Sequence, residues 1–337
     1  MNRTQLEYQV KIYLIGALAL GFTTSAWADV VLPKVISDKM VLQRGVEAPI
    51  WGWADQGEEV TVTFAGQTKQ ALPDENGRWM VRLAPLAASA EPRVMTVQGS
   101  NSIQVGGVLV GEVWLASGQS NMEWDFNRVV PAEKAYAAEH ASNALLRAFH
   151  VNAHIMAGTP LDDTGGWWKD CEEMVGEPGI SLGLQKGVSA VGFFFALRLQ
   201  EELGVPVAFI DANWGGQRIE RFIPREGFEA LGIPHRPGRA LRHDAVERKL
   251  EAIAASVSNC LAEVKRGRLV PLVYESEILG RSDNGLYNAM IAPLTPFAIK
   301  GAVWYQGESN RAFTNYFELV EALSAGWSEV FGVEDIP

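Results

Sequence analysis

Residues 108–124 read VLVGEVWLASGQSNMEW, and this stretch decides the fold class of the chain. Its first ten residues form a nearly continuous apolar run, which is typical of a strand buried on both faces of a parallel sheet. The run ends in small and polar residues that begin at Gly118. Because ligands bind beyond the carboxyl ends of the strands in open α/β sheets, we expect the chemistry directly after this run.

The residues after 124 alternate between helical and strand patterns. Helical patterns cover residues 131–143, 189–204, 240–268 and 315–331, and apolar strand patterns cover residues 145–151, 205–211 and 298–305. Strands that alternate with helices predict a doubly wound α/β domain built on a parallel sheet. We place this domain at residues 108–337.

The residues before 108 follow a different pattern. From residue 29 to about 107, short β-type runs such as APIWGWA and EVTVTFAG are separated by turn clusters rich in Gly, Pro, Asp and Asn. Strands at such regular spacing predict a small antiparallel β-sandwich. We therefore expect an N-terminal domain at residues 29–107.

Residues 1–28 have the pattern of a signal peptide. Arg3 and Lys11 make the start weakly positive, an apolar run follows, and Ala26-Trp27-Ala28 matches the small-x-small cleavage pattern. A retained anchor is the alternative, but the run is shorter than the about 20 residues that span a bilayer. We predict export to the periplasm or medium, cleavage near Ala28 and no stable membrane anchor.

The composition restricts the class of partner. The 337-residue chain has a formal net charge of −11, which argues against nucleic acid, whose phosphates are bound by clustered Lys and Arg. The two cysteines, Cys171 and Cys260, have a spacing that neither demands nor forbids a disulfide in an oxidising compartment. No C-x-x-C or His-rich spacing is present, so we predict no metal and no cofactor.

Ser120 is the candidate nucleophile. It follows the flexible Gly118 where the buried strand turns into a predicted helix, so its hydroxyl can be exposed at the edge of the sheet. Backbone N–H groups near a helix start can stabilise a developing oxyanion. The simpler alternative is a polar turn that caps a helix, since Ser and Asn are common caps. Met122 stands where the G-x-S-x-G elbow has Gly, so that motif gains no support.

Two further strand patterns end in candidate site residues. Gly215 and Gly216 can present a backbone N–H to an oxyanion, although a plain tight turn would also explain the pair. Gln306 can donate its side-chain amide to the tetrahedral intermediate, and Glu308 can orient Gln306 or Arg218. Either polar residue can instead cap a helix. Three strand ends of this kind favour one shared site over three independent accidents.

Substrate contacts are predicted beside these motifs. Flat aromatic faces stack on sugar rings, although large aromatics beside strands more often pack in the core. Arg218 offers a cation for an anionic sugar, and a salt bridge to Glu308 or Glu220 is the alternative. The predicted substrate-binding residues are Asn121, Trp124, Trp214, Arg218 and Asn310.

Four stretches of the chain occur in a specific order. They are LPKVISDKMVLQR (residues 32–44), GEVWLASGQSNMEW (111–124), FIDANWGGQRIE (209–220) and LYNAMIAPLTPFAIKGAVWYQGESN (286–310). Together they closely resemble the bacterial sialate O-acetylesterase family, a branch of the SGNH hydrolases. The resemblance runs from about residue 29 to the end of the sequence.

The resemblance implies a fold, a reaction and residue roles. It implies a β-sandwich before a three-layer α/β/α domain with a flavodoxin-like sheet, and hydrolysis of acetyl esters on sugar hydroxyls without a metal. Ser120 is implied to be the nucleophile and one oxyanion N–H, with another donor from the pair Gly215 and Gly216. Gln306 stands where many SGNH enzymes use Asn, and Glu308 belongs to the same block. The implied reaction passes through an acetyl-serine intermediate.

The sequence departs from the family at its far end. Family members carry a later D-x-x-H block, whose His is the general base and whose Asp orients it. No histidine of this chain has Asp three residues before it; the five are His140, His150, His154, His235 and His243. We therefore predict a truncated chain, an incomplete sheet at its C-terminus and no identifiable base. His243, although next to Asp244, is predicted to lie on the solvated face of a long helix.

Three hypotheses about function follow. The leading one is an esterase that removes acetyl groups from sialic acid or from another acetylated glycan such as xylan. The second is a non-catalytic carbohydrate-binding remnant, because a serine without its base loses most of its catalytic power. The third is a coding sequence that was cut short.

Overall fold

A computed structural model describes residues 29–151, 156–176, 187–236 and 283–337 of the protein. The predicted signal peptide at residues 1–28 and the predicted helix at residues 240–268 lie outside these ranges, as do His154 and His243. Those predictions, and the predicted export, stay predictions. Within the described ranges no helix has the length and apolar character that crossing a bilayer requires.

The described residues form eleven strands and six α-helices. The strands are β1 (Val41–Gln43), β2 (Ala48–Trp53), β3 (Val60–Phe64), β4 (Gln67–Ala71), β5 (Arg78–Leu83), β6 (Ser89–Gln98), β7 (Ser102–Gly118), β8 (Leu146–Val151), β9 (Gly166–Asp170), β10 (Val207–Asn213) and β11 (Gly301–Tyr305). The helices are α1 (Ser120–Glu123), α2 (Pro131–Glu139), α3 (Cys171–Gly176), α4 (Ala190–Leu203), α5 (Arg225–Ala230) and α6 (Tyr316–Phe331). Short 3₁₀ turns cover Ile219–Arg221, Ala292–Leu294 and Glu308–Asn310, and a π-helix covers Tyr287–Ile291.

The N-terminal strands pair mainly antiparallel, as their turn-rich sequence predicts. Strands β4, β3, β6 and the first half of β7 form one sheet, and β2 pairs with β5 in a second. The tight turn between β3 and β4 has positive φ at Ala65 and Gly66, the geometry that suits two-residue hairpins. The predicted boundary between residues 107 and 108 falls inside the continuous strand β7. The sandwich and the division into two domains stay predictions.

The second half of β7 lies at the centre of a mostly parallel sheet. The order is β8, β10, β7, β11, with β9 antiparallel on the outer side of β8. This confirms a mixed α/β fold but differs from the flavodoxin-like order, in which the first parallel strand lies between the second and the third. Strand β9 pairs with the outer edge of β8, and β10 lies between β8 and β7.

Helices cover both faces of this sheet. Phe193 of α4 belongs to the buried cluster that contains Phe209 of β10, and Val303 of β11 packs against the same cluster. Because neighbouring strand residues point to opposite faces, Trp304 points the other way, where its ring meets Trp327 of α6 edge-on at 5.7 Å. Helices on opposite faces make the three-layer arrangement that the sequence predicts.

Helix α4 begins and ends with capping geometry that its sequence encodes. The Ser189 hydroxyl accepts a hydrogen bond from the Gly192 N–H at 2.9 Å, which satisfies one free donor of the first turn. The helix ends at Gly204, whose φ of 63° is the left-handed conformation that glycine adopts without strain. The helix that the sequence pattern predicts over residues 189–204 is therefore confirmed.

Cys171 is a buried free thiol at the start of α3. Burial raises the pKa of this thiol to about 11, so it is protonated at neutral pH. Its possible disulfide partner, Cys260, lies outside the described residues.

Candidate active site

The three predicted strand ends meet at one edge of the sheet. In the parallel register, Gly118 of β7 lies opposite Asn213 of β10 on one side and opposite Tyr305 of β11 on the other. The loops after these residues therefore leave the sheet at the same level. This convergence is what the sequence predicts for motifs that follow neighbouring parallel strands.

Backbone hydrogen bonds tie the three loops together. The Trp214 N–H donates to the Gly118 carbonyl oxygen at 3.1 Å, and the Gln119 N–H donates to the Tyr305 carbonyl oxygen at 3.1 Å. Gly118 has a φ of +147°, and a Cβ built on it would lie 2.1 Å from the Tyr305 oxygen. The chain therefore needs glycine at this point, because any side chain would collide with the neighbouring strand.

Ser120 is the first residue of α1, and Gln119 is its N-cap. The serine is half-buried, and in the described part of the chain neither its hydroxyl nor its N–H has a hydrogen-bond partner. Unpaired N–H groups of a first helical turn can accept negative charge from a developing oxyanion. The structure thus leaves Ser120 with a hydroxyl and a backbone donor available at the convergence point.

The N–H groups of Gly215 and Gly216 have different surroundings. The Gly215 N–H donates to Glu123 Oε2 at 2.8 Å, and the role of Gly215 as an oxyanion donor stays a prediction. Gly216 is exposed, has a φ of +71°, and its N–H has no acceptor among the described residues. Of the two predicted donors, only the Gly216 N–H is available.

The side-chain amide of Gln306 is hydrogen-bonded to other protein groups. Its Nε2 lies 2.8 Å from Asn310 Oδ1, 2.9 Å from Gln119 Oε1 and 3.1 Å from the Gln217 carbonyl oxygen. A side-chain amide has two protons to donate, so no donor remains for a substrate. Its Oε1 accepts from the Tyr316 hydroxyl at 2.8 Å. In this structure Gln306 holds the loop after β11 against the loop after β7, and its oxyanion role stays a prediction.

Asn310 is buried and bonded to protein groups at both ends of its amide. It is 1% exposed, its Oδ1 accepts from the Ile219 N–H at 3.0 Å, and its Nδ2 donates to Glu220 at 2.8 Å. In this structure it fixes the loop after β10 to the 3₁₀ turn after β11. Its contact with substrate stays a prediction.

Glu308 has a different partner from the predicted one. Its carboxylate accepts a hydrogen bond from Asn121 Nδ2, and neither Gln306 nor Arg218 contacts it among the described residues. Glu308 thus has Asn121 as its partner in this structure, and its orienting role stays a prediction. Asn121 is half-buried and lies next to Ser120, so this contact ties α1 to the loop after β11.

Three predicted substrate contacts surround this edge with different exposures. Trp124 is 42% exposed, and the Arg128 guanidinium lies 5.7 Å from the centre of its ring. Trp214 is half-buried between Asn213 and the glycine pair. Arg218 is exposed, and its guanidinium lies 4.9 Å from the ring centre of Phe313. Exposed tryptophan faces and a guanidinium are groups that can meet a sugar and an anion, respectively.

The predicted alternative role of Arg218 in a salt bridge is not seen. Glu308 is bonded to Asn121 and Glu220 to Asn310, and within the described ranges no carboxylate pairs with Arg218. The guanidinium is therefore an unneutralised cation at this edge of an acidic protein.

The sequence patterns did not predict the buried pair that His150 forms with Asp211. His150 Nδ1 lies 2.8 Å from Asp211 Oδ2, and both side chains are 3% exposed. The signal that could have revealed it is the polar residue near the end of each of two neighbouring strands, since His150 and Asp211 are opposite each other in the β8–β10 register. Asp211 also accepts from Asn213 Nδ2 at 2.6 Å and from the Ser189 N–H at 3.3 Å. The carboxylate thus joins β8, β10 and the start of α4 beneath the site.

The other described histidines have surface contacts. His140 Nδ1 lies 2.8 Å from the Tyr136 carbonyl oxygen, and the ring of His235 stacks on Phe228 at 4.8 Å. Within the described ranges no histidine is hydrogen-bonded to Ser120. No group of three His, Cys, Asp or Glu side chains there could hold a metal ion.

A cavity of about 850 Å³ lies at the opposite ends of the strands. Glu112 and Lys300, which line it, stand at the amino ends of the parallel segments that Gly118 and Tyr305 terminate. Its walls mix Arg44, Lys300 and Glu112, and Arg44 already pairs with Glu112 at 2.5 Å. Since parallel sheets bind ligands at their carboxyl ends, we assign the candidate site to the edge that carries Ser120.

Known proteins of one functional class are similar to this chain in sequence and in fold. The chain is similar to sialate O-acetylesterases. It is 31% identical over 314 residues to the enzyme from Rattus norvegicus and 30% identical over 335 residues to that from Homo sapiens, matches that cover 88% and 94% of this chain. No family model matches the chain. The chain spans about half the length of these relatives, 55% and 56% respectively.

A solved structure supports the same comparison. The crystal structure of a carbohydrate acetylesterase from Xanthomonas citri matches with a TM-score of 0.66 and 32% sequence identity. The match covers 92% of this chain and 59% of that protein. The similarity therefore extends over nearly the whole chain.

Proposed function

We propose that this chain is a carbohydrate O-acetylesterase in which Ser120 is the nucleophile. The observation that carries the proposal is the position of Ser120, which lies with an unpaired hydroxyl and an unpaired N–H where three parallel strands end. The names of its relatives, sialate O-acetylesterase and carbohydrate acetylesterase, agree with an acetylated sugar as substrate.

The proposed reaction is acyl transfer in two steps. Ser120 Oγ bonds to the carbonyl carbon of the acetyl ester, the bond from that carbon to the sugar oxygen breaks, and the serine proton ends on the sugar oxygen, so the sugar alcohol leaves. A water oxygen then bonds to the acetyl carbon, the bond to Ser120 Oγ breaks, one water proton restores the serine hydroxyl, and acetate leaves with the other proton released. The oxyanion of each step is placed beside the N–H groups of Ser120 and Gly216, the two donors at this edge that have no described acceptor.

Replacing Ser120 with alanine tests the proposal. We expect the Ser120→Ala variant to hydrolyse a chromogenic acetyl ester at least about 10³-fold more slowly than the unmodified chain, because the attacking oxygen is gone. Ser309→Ala is the matched control, since Ser309 lies in the neighbouring loop and contacts Gln119 through its backbone N–H. Equal rates for the unmodified chain and Ser120→Ala would contradict the esterase proposal.

We further propose that the substrate is an acetylated sialic acid, with Arg218 as the partner of its carboxylate. The support is that Arg218 is exposed, stacked on Phe313 and without an ion pair in the described chain, while nearby carboxylates are bonded to amides. An acetylated neutral glycan such as xylan is the alternative, for which this cation would have no use.

An Arg218→Gln variant separates the two substrates. We expect its KM for acetylated sialic acid to rise about tenfold, since a hydrogen bond to a charged group contributes roughly 1.5 to 3 kcal/mol. The KM for an acetylated neutral xylose ester should change less than about twofold. If both values change equally, or if the unmodified chain prefers the neutral ester, the anionic substrate is excluded.

A further inference from the structure

Glu123 links the nucleophile helix to the glycine pair. It lies three residues after Ser120 on the single turn of α1, so both side chains project from the same side of the turn. Its Oε2 accepts the Gly215 N–H at 2.8 Å. A Cβ built on Gly215 would lie 2.4 Å from this oxygen and 3.5 Å from Ser120 Cβ, so the carboxylate and the serine flank the same glycine.

This hydrogen bond holds the glycine pair within a loop that is also bonded to its neighbours at Trp214, Gln217 and Ile219. A Cβ built on Gly216 would meet nothing within 4 Å, and this residue is exposed. The Gly215 carbonyl oxygen is reached by Gln217 Nε2 at 3.4 Å, a long contact. In the described structure the Glu123 carboxylate is therefore the side-chain acceptor that holds the backbone of the glycine pair against α1.

The carboxylate occupies an unfavourable electrostatic environment. Burial raises the pKa of Glu123, the negative charge of Asp211 raises it further, and the Gly215 hydrogen bond and Arg128 oppose this shift. Ionisation of Glu123 is therefore less favourable in the folded protein than in water. Residues that reduce stability at a site are typical of functional positions, where geometry is maintained at the expense of stability.

We infer that Glu123 is a positioning residue, whose carboxylate fixes the backbone of Gly215 and Gly216 beside Ser120. The inference rests on the proposed function for its catalytic meaning, because the Gly216 N–H acts as an oxyanion donor only if Ser120 attacks an ester. Glu123 supplies a hydrogen-bond acceptor on a side chain long enough to meet the Gly215 N–H. A neutral acceptor of equal length should therefore replace it, whereas a shorter side chain should not.

Three variants of Glu123 in the full chain separate the effect of side-chain length from the effect of charge. Glu123→Gln keeps the length and one acceptor oxygen, Glu123→Asp keeps the charge but is one methylene shorter, and Glu123→Ala removes the acceptor. Glu133→Gln on the exposed face of α2 is the control for a change of charge alone.

Hydrogen exchange of the peptide that contains residues 212–218 reports the loop directly. We expect the Gly215 amide to exchange about tenfold faster in Glu123→Ala and Glu123→Asp, and at nearly the unmodified rate in Glu123→Gln, as loss of one part-buried hydrogen bond predicts. Unchanged exchange in Glu123→Ala overturns the inference. So does an equally fast exchange in Glu123→Gln, because the charge and not the acceptor would then hold the loop.

Labelling of Ser120 by a fluorophosphonate, followed by intact mass, reports the reacting serine. In this reaction the serine oxygen bonds to phosphorus, fluoride leaves, and the hydroxyl proton passes to water. We expect labelling to slow about tenfold in Glu123→Ala and Glu123→Asp, and to be preserved in Glu123→Gln. Labelling that is equally slow in Glu123→Gln overturns the positioning role. Absence of labelling in the unmodified chain contradicts the proposed function, while the exchange result still decides the inference.

Thermal unfolding supplies an independent check with a defined sign. Because the pKa of Glu123 is raised on folding, the stability it contributes is present below its ordinary pKa of about 4.3 and is lost as the pH rises through the raised value. Glutamine does not ionise, so Glu123→Gln should have a higher Tm than the unmodified chain at pH 7, and the difference should shrink toward pH 4. A lower Tm at pH 7 would contradict the assigned environment of Glu123.

Discussion

A Gly118→Ala variant is expected to lose about 3 to 5 kcal/mol of stability and most of the reactivity of Ser120. The added Cβ would lie 2.1 Å from the Tyr305 carbonyl oxygen, so β11 must move away from β7 or the turn before Ser120 must change. Either movement breaks the hydrogen bond from the Gln119 N–H to that oxygen. The φ of +147° at Gly118 adds conformational strain for any other residue.

Urea unfolding and Ser120 labelling measure both parts of this expectation. Gly45→Ala is the matched control, since Gly45 also has a positive φ, of 74°, but a Cβ there meets nothing within 4 Å. The control should lose only about 1 to 2 kcal/mol, the conformational cost alone. Equal losses in the two variants would show that the close approach of Tyr305 does not constrain the site.

An Asp211→Ala variant is expected to lose about 3 to 5 kcal/mol, because it removes a buried carboxylate that accepts three hydrogen bonds. The carboxylate accepts from His150 Nδ1, Asn213 Nδ2 and the Ser189 N–H, and all three donors would be left buried without it. An unsatisfied buried donor costs roughly 1 to 3 kcal/mol. Since Asn213 is the last residue of β10, the loss should also reach the loop that carries the glycine pair.

The matched control is Asp74→Ala in an exposed N-terminal turn. Asp74 accepts from the N–H groups of Asn76 and Arg78, but water can replace it there. Its loss should cost no more than about 1 kcal/mol. Urea unfolding compares the two variants, and a loss below about 1.5 kcal/mol in Asp211→Ala would mean that water reaches the buried pair.

The sequence predicted those features of the fold that depend on local patterns. The apolar run before Gly118 predicted a doubly buried strand, and the helix predicted over residues 189–204 is observed as α4. The strand order could not be predicted, because it is set by pairing between distant segments. The GWWKD segment at residues 166–170 pairs with β8 only through tertiary contacts, and no local pattern marks it as the strand that takes that edge.

The candidate site was predicted at the level of loops and not of hydrogen bonds. The motif placed Gly215 and Gly216 near Ser120, but which N–H faces Glu123 depends on how α1 packs against the loop. Gln306 and Asn310 have the residue types of substrate contacts, and only the structure shows that each amide is bonded to protein groups. The pair of His150 and Asp211 is separated by 61 positions and depends on strand register.

The length of β7 has a consequence for how the serine is placed. This one strand pairs with β6 and β1 through its first residues and with β10 and β11 through its last, from Ser102 to Gly118. A slip of one residue would turn every side chain to the opposite face at both ends at once. The strand register that positions Ser120 is therefore fixed by pairing at both ends of β7. A pairing error at the antiparallel end would be opposed by the buried residues of the parallel end.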